Sequence, residues 1–181
     1  MKWNNKFTYP KSSRSLENGF RHYLFDNNKL PSVTSILQAT KSDEDKAALE
    51  NWKQRVGHVE ANKIKNEASN RGSSMHLHIE MFLKNRINES FFEENEQYKK
   101  MAKEIIDKGI KGKLEEIYGM ETTLHYPGKY AGTADLIGIY EGKECCVAFK
   151  QANKPKKVDY IQDYFLQLGR LAPLIFRGAQ V

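Results

Sequence analysis

Two different spacings of hydrophobic residues divide the chain into a helical part and a strand-rich part. From Asp43 to about Leu83 the sequence is rich in Ala, Glu, Lys and Asn, with Leu49, Trp52 and Val56 at a spacing that predicts amphipathic helices. Gly57 and Gly72 are expected to divide this stretch into two or three helices. A further helix is predicted from Phe92 to about Gly109.

After Gly112 the spacing changes to the alternation and composition of β-strands. Three runs rich in Tyr, Thr, Ile and Val follow one another, with turn sequences between them at Pro127-Gly128 and Glu141-Gly142. The pattern predicts a three-stranded antiparallel meander. Its strands are Glu116–Tyr126, Tyr130–Tyr140 and Glu144–Lys150.

The first thirty residues have no helical period and are predicted to form an arm or a short hairpin. Gly19 or the run Asp26-Asn27-Asn28 would supply its turn. A helix is expected to begin just after Pro31, capped by Ser32 or Thr34.

At the other end, a helix is predicted from about Val158 to Ala172, stopped near Pro173 because proline disrupts a helix interior. The order of elements is helices, three antiparallel strands and a helix. It predicts an α+β fold, with a small, mainly antiparallel sheet flanked by helices and preceded by a helical segment.

Composition narrows the class of protein. The 181 residues carry 29 Lys and Arg against 23 Asp and Glu, a net charge of +6, which permits a polyanionic partner. No apolar run is long enough for a membrane span, and the N-terminus lacks the apolar stretch of a secretion or targeting signal. Cys145 and Cys146 are adjacent, so a disulfide scaffold is excluded and a reducing compartment, the cytoplasm, is expected.

The Glu141-Gly142 turn fixes which residues face one another in the second predicted hairpin. A two-residue turn there places Asp135 opposite Ala148, with Lys150 on the same face. A carboxylate and an ammonium so close in mid-sheet are either a structural ion pair or part of a site.

One predicted helix carries a histidine and a glutamate at the edge of its apolar stripe. His76 and Glu80 lie one turn apart and project together, whereas His78 is expected to face solvent. Such a pair either holds a divalent ion or is a hydrogen-bonded surface pair. The stripe itself is Met75, Ile79, Phe82 and Leu83.

Basic residues gather around the last predicted helix. Lys154, Lys156 and Lys157 precede it and Arg170 lies within it. These cations either bind phosphates or form a solvated face.

Together these pieces resemble the PD-(D/E)XK nuclease superfamily, and within it the RecB-like exonucleases that include the mitochondrial genome maintenance exonuclease and its phage relatives. The resemblance covers about Leu30 to Ala172. It rests on Pro31-Ser32-Val33-Thr34 with Ile36-Leu37, Trp52-Lys53-Gln54-Arg55, Arg71-Gly72 with His76 and Glu80, Gly132-Thr133-Ala134-Asp135, Ala148-Phe149-Lys150, Lys154-Pro155-Lys156, and Gln167.

This resemblance implies a restriction-endonuclease-like fold and Mg²⁺- or Mn²⁺-dependent hydrolysis of DNA. Asp135 would bind the metal and Lys150 would orient or activate the attacking water. His76 would complete the metal shell, supported by Glu80.

The resemblance also gives DNA contacts and a domain division. DNA, expected to be single-stranded, would contact Gln167, Arg71 and the basic residues named above. Residues 1–30 would be an N-terminal arm and residues 31–181 a nuclease-like domain with a short C-terminus. The expected setting is the cytoplasm of a bacterial or phage-infected cell, in DNA replication or recombination.

The chain departs from the family pattern at positions that matter for catalysis. Ala148 stands where the family has a second acidic metal ligand, and a methyl group cannot ligate Mg²⁺. Gln151-Ala152 and Leu171 depart as well. Two hypotheses follow: an exonuclease that is inactive or impaired, and a non-enzymatic DNA-binding module on the same fold.

Overall fold

A computed structural model describes residues 1–25, 28–88, 92, 96–152 and 161–178. The fold is α+β, as the spacing of the hydrophobic residues predicts. Within the described residues, two compact units are distinguished: residues 1–40 with 112–181, and residues 41–111. The strands are β1 (Lys2–Trp3), β2 (Ser13–Glu17), β3 (Phe20–Phe25), β4 (Asn28–Pro31), β5 (Leu114–Tyr126), β6 (Tyr130–Tyr140) and β7 (Lys143–Val147). The helices are α1 (Val33–Ala39), α2 (Asp43–Val56), α3 (His58–Leu83), α4 (Gln97–Ile105) and α5 (Gln162–Gly178).

The larger unit contains a four-stranded sheet in the order β1-β5-β6-β7. The meander of β5, β6 and β7 is confirmed, and β1 adds a short parallel strand to β5. Glu141 (φ 48°) and Gly142 (φ 75°) form the two-residue turn between β6 and β7. That turn sets the predicted register, which is confirmed from Tyr140–Lys143 as far as Leu136–Val147.

Residues 13–31 form a second, three-stranded antiparallel sheet, β2-β3-β4. The hairpin predicted at Gly19 is present: Glu17 pairs with Phe20, and both intervening residues have positive φ, as a tight hairpin turn requires. The alternative turn at residues 26 and 27 lies outside the described residues. The sequence did not predict the third strand. The boundary at residue 30 stays a prediction, although these strands belong to the same unit as the four-stranded sheet.

Two helices of this unit cover the four-stranded sheet. Ser32 caps α1, as predicted, with its side chain accepting a hydrogen bond from the Ser35 N–H. The prediction that the last helix ends near Pro173 is wrong, because α5 continues to Gly178 with this proline inside it. Leu171, Leu174 and Ile175 are buried in the core, and their burial offsets the hydrogen bond that the proline removes.

In its described residues, the second unit contains α2, α3, α4 and a π-helical turn, Ile106–Ile110. Gly57 separates α2 from α3, as predicted, with a positive φ of 87° that a residue with a side chain rarely adopts. The break predicted at Gly72 is wrong, since α3 runs through it. One interior glycine costs about 1 kcal/mol, which the packing of a 26-residue helix can outweigh.

His78 is buried, so the prediction that it faces solvent is wrong. Its ring lies 5.0 Å from that of Tyr98 on α4, and its Nδ1 lies 2.6 Å from the Ser74 carbonyl oxygen. The reason is helical geometry: His78 is three residues after the fully buried Met75, so it borders the apolar stripe.

None of the helices in the described part of the chain is long and apolar enough to cross a membrane.

Candidate functional site

Two carboxylates face each other across the adjacent strands β5 and β6. The pairs Met120–Leu136 and Thr122–Ala134 flank them, so the register places Glu121 opposite Asp135. A carboxylate oxygen of Glu121 lies within 4.8 Å of one of Asp135. Two like charges at this distance repel each other unless a cation lies between them.

Glu121 holds an unusual backbone conformation for a residue inside a strand. Its φ is +49°, in the left-handed region that side chains other than those of Gly, Asn and Asp rarely occupy. The other non-glycine residues with positive φ in the described part of the chain are Asn18, Asn85 and Glu141, all outside strands. Such strain costs on the order of 1–3 kcal/mol and clusters at functional sites.

Asp135 is held by the chain that follows β7. The Phe149 backbone N–H donates a hydrogen bond of 2.8 Å to Asp135 Oδ2. Phe149 itself is buried, which fixes the position of this donor. A backbone donor orients the carboxylate and stabilises its charged form, the form that binds metal.

The predicted pairing of Asp135 with Ala148 is not part of the ladder. β7 ends at Val147, one residue before the expected pair, and residues 148–150 are not in a strand. The hydrogen bond from the Phe149 N–H to the Asp135 side chain replaces regular strand pairing at this point. Ala148, where the resemblance implies an acid, is therefore joined to the residue that bonds Asp135 but lies outside the sheet.

Lys150 is exposed, with its ammonium 5.6 Å from the centre of the Tyr164 ring on α5. Its charge and that of Asp135 both act on the Cys146 thiol. Burial, joined by the nearby charges of Asp135 and Cys145, raises the pKa of Cys146 to about 12, and Lys150 opposes this rise. The predicted catalytic aspartate and lysine thus share one electrostatic neighbourhood around Cys146.

The predicted site residues of the second unit lie on α3. Arg71, His76 and Glu80 are half-buried, and Glu80 forms an ion pair with Lys84. The approach of His76 and Glu80 to Asp135 stays a prediction.

The predicted DNA-binding residues are only partly within the described chain. Gln167 is half-buried on α5, and Arg170 is exposed there, with its carbonyl oxygen 3.4 Å from the Tyr130 hydroxyl. Lys154, Lys156 and Lys157 lie outside the described residues.

The sequence interpretation missed Glu121. The signal that could have found it is the first hairpin, in which Tyr126 pairs with Tyr130 across a three-residue loop. Counting outward from that pair places Glu121 opposite Asp135. Two carboxylate oxygens from neighbouring strands, one of them fixed by a backbone N–H, form an oxygen donor set of the kind that Mg²⁺ and Mn²⁺ prefer.

Comparison with curated proteins finds exonucleases. The chain is 32% identical over 137 residues to a mouse (Mus musculus) protein named mitochondrial genome maintenance exonuclease 1, a match that covers 71% of this chain and 39% of the relative. The human (Homo sapiens) and Xenopus tropicalis proteins of the same name are each 29% identical, over 146 and 147 residues, or 76% and 77% of this chain.

The chain spans about two fifths of the length of these relatives, since the matches cover 39%, 40% and 40% of them. No protein-family profile matches the chain. At 29–32% identity, the chain is a distant homologue of proteins named as exonucleases.

Proposed function

We propose that this chain is a metal-dependent DNA exonuclease that hydrolyses phosphodiester bonds from the ends of single-stranded DNA. The observation that carries the proposal is the pair of facing carboxylates, Glu121 and Asp135, with oxygens within 4.8 Å. The names of the distant relatives support the same reaction class.

The donor set fits a hard divalent cation. Asp135 and Glu121 would hold Mg²⁺ or Mn²⁺, with His76 as a third ligand and Glu80 in support, as the family resemblance implies. When bound, the metal would polarise a phosphoryl oxygen and lower the pKa of a coordinated water. The Phe149 N–H keeps the Asp135 carboxylate oriented for this role.

Lys150 would provide a positive charge at the reacting phosphate. Its exposure lets the ammonium approach a polyanionic strand, and the Tyr164 ring limits where the ammonium can lie. In this position the ammonium would orient the attacking water and balance the charge that develops on the phosphate.

Ala148 is expected to reduce the rate. Its methyl group leaves the metal one acidic ligand short of the family pattern, while Glu121 supplies a carboxylate from the opposite strand. We therefore propose an impaired enzyme. The setting proposed for it, replication or recombination in the cytoplasm of a bacterial or phage-infected cell, rests on the resemblance to phage relatives.

A second candidate function is a DNA-binding module without catalysis, and Ala148 is the observation that favours it. Such a module would keep the contacts of Arg71, Gln167, Arg170 and the basic residues 154, 156 and 157 with phosphates. It would bind no stoichiometric metal. A Mn²⁺ titration separates the two functions, because only the enzyme requires a site at Asp135.

The deciding experiment is a nuclease assay on single and double strands labelled at either end. We expect release of short labelled products from single strands in Mg²⁺ or Mn²⁺ and none in EDTA. Asp135→Asn is the control for a contaminating nuclease. Equal release by wild type and this variant, or no release together with no metal binding, would contradict the proposed reaction.

A further inference from the structure

The small N-terminal sheet packs against the end of the β5–β6 hairpin, beside the two carboxylates. Three of its side chains, Tyr23, Phe25 and Leu30, form a buried cluster with Ala131 of β6. The ring of Phe25 lies 4.3 Å from the ring of His125, the residue that pairs with Ala131. All these residues belong to one compact unit.

The contact closest to the site joins Tyr23 to Thr133. The Tyr23 hydroxyl lies 2.9 Å from Thr133 Oγ1. Thr133 precedes Asp135 by two residues, so strand alternation places both on one face of β6, about 7 Å apart. The part of this face that Tyr23 covers therefore begins at Thr133, two residues before the proposed metal ligand Asp135.

The N-terminal sheet is firmly attached at this position. The Ser32 N–H donates a hydrogen bond to the Arg21 carbonyl oxygen, and Ser35 Oγ both accepts from the Arg21 N–H and donates to its carbonyl oxygen. Tyr23 is 1% exposed and Ser32 also 1%. A segment held by buried hydrogen bonds and a buried cluster moves little when a ligand arrives.

We propose that this sheet, β2–β4, is a steric stop that ends the path of a DNA strand beside the scissile phosphate. The inference rests on the proposed nuclease function and adds the reason for its preference for ends. Stacked nucleotides advance about 3.4 Å each along a strand, so about two fit between Asp135 and the covered part of β6. A continuous strand cannot pass, whereas a free end fits and leaves as a mono- or dinucleotide.

The direct test uses the wild-type protein and photo-crosslinking in EDTA, which prevents hydrolysis. Single strands carry one 5-iododeoxyuridine either at the terminal nucleotide or five nucleotides inward, in separate series for the 5′ and 3′ ends. We expect crosslinks to peptides from residues 13–31 only when the probe is at the terminal nucleotide, and only for one of the two ends, 5′ or 3′. Crosslinks of equal yield from the inward probe, or none to this segment from either end, would overturn the stop.

A variant tests the cause of the end preference. Wild type is expected to bind a linear strand about tenfold more tightly than a circle of the same sequence, a difference of about 1.4 kcal/mol. Tyr23→Leu removes the hydroxyl that lies 2.9 Å from Thr133 Oγ1, and we expect it to reduce this ratio to about threefold or less. Phe20→Leu is the matched control, since Phe20 lies on the same strand and is 37% exposed, and its ratio should stay at the wild-type value.

Thermal unfolding of both variants shows whether each is folded. Should Tyr23→Leu not fold, the crosslinking result decides. Equal affinity of the wild type for circle and linear strand would overturn the stop even where metal-dependent hydrolysis is intact. End-restricted crosslinks without any hydrolysis would support the stop while contradicting the proposed catalysis.

Discussion

Glu121 of β5 and Asp135 of β6 face each other with carboxylate oxygens within 4.8 Å, and Glu121 reaches this position through a left-handed backbone conformation. Glu121 thus brings a second carboxylate to Asp135 in a chain that has Ala148 where the resembled family has an acid. Because the pair consists of one residue from each strand, the proposed metal site can be tested one residue at a time.

Removing either carboxylate should weaken metal binding. We expect Glu121→Gln and Asp135→Asn each to lower Mn²⁺ affinity by at least about tenfold, because each removes one charged oxygen ligand. Isothermal titration calorimetry measures the affinity, and Glu67→Gln, at an exposed position of α3, is the control. An affinity unchanged in Glu121→Gln would show that this glutamate is not a ligand.

Restoring an acid at position 148 should strengthen the site. We expect Ala148→Asp to raise both Mn²⁺ affinity and the rate of nucleotide release, the rate by about tenfold or more, since an added ligand stabilises the transition state by at least about 1.4 kcal/mol. Ala48→Asp places the same charge at an exposed position of α2 and should change neither quantity. A folded Ala148→Asp protein with no gain in either would favour the DNA-binding module.

Replacing Lys150 should reduce catalysis without weakening metal binding. Lys150→Met is expected to reduce hydrolysis by about a hundredfold or more and to leave Mn²⁺ binding intact, because the role proposed for the ammonium is to act on water and phosphate and not to ligate the metal. The matched control is Lys143→Met, which removes an exposed lysine from β7. A loss of metal binding in Lys150→Met would mean that this lysine supports the fold of the site.

The basic residues that precede α5 in the sequence should set the salt dependence of DNA binding. Replacing Lys154, Lys156 and Lys157 together by Glu is expected to reduce the slope of log K against log salt by about 2, since each phosphate that a lysine neutralises on a single strand adds about 0.7 to that slope. Fluorescence anisotropy at several salt concentrations gives the slope. The control reverses the charge of three exposed lysines of the helical unit, Lys63, Lys65 and Lys100, and an equal reduction there would place the DNA path elsewhere.

The protein should lose stability at alkaline pH because two partly buried acidic groups, the Cys146 thiol and the Tyr9 hydroxyl, must stay protonated in the fold. Burial raises the pKa of the Cys146 thiol to about 12 and that of the Tyr9 hydroxyl to about 12. These pKa values exceed those of the same groups in the unfolded chain. The two protonated groups therefore make their full contribution to the free energy of unfolding below about pH 9, and this contribution is lost as pH rises toward 12.

Urea unfolding between pH 8 and 11.5 measures this loss. Cys146→Ala should reduce the loss of stability at high pH more than Cys145→Ala does. The Cys145 thiol is less buried, so burial raises its pKa less. In native protein at pH 8, Cys146 should also react with iodoacetamide more slowly than Cys145, because only the thiolate is nucleophilic. Equal rates would show that Cys146 is accessible and ionised.

The sequence predicted the parts of the fold that local chemistry decides. The turn at Glu141-Gly142 can adopt few conformations, so it determined the register of β6 and β7 as far as Val147. The continuation of α5 through Pro173 was not predictable, because it depends on burying Leu171, Leu174 and Ile175 against residues distant in sequence.

Only part of the candidate site could be predicted from the sequence, because the rest also depends on contacts between residues distant in sequence. Asp135 and Lys150 stand in a recognisable motif, whereas Glu121 becomes part of a site only through the pairing of β5 with β6. Its left-handed φ leaves no mark in the sequence, since glutamate gives no sign of positive φ as glycine does. Where β7 ends was also hidden, because it depends on the bond between Asp135 and the Phe149 N–H.

The burial pattern of α3 divides this one helix into two regions of different local stability. Its 26 residues span about 39 Å, yet four of its five buried side chains, Met75, His78, Ile79 and Leu83, lie in the last nine residues. Near its start, Val59 is 85% exposed and Ala61 alone is buried. Amide hydrogens in the first half of α3 should therefore exchange with deuterium much faster than those in the second half. Fraying should proceed from Gly57 inward and stop where Met75 is packed.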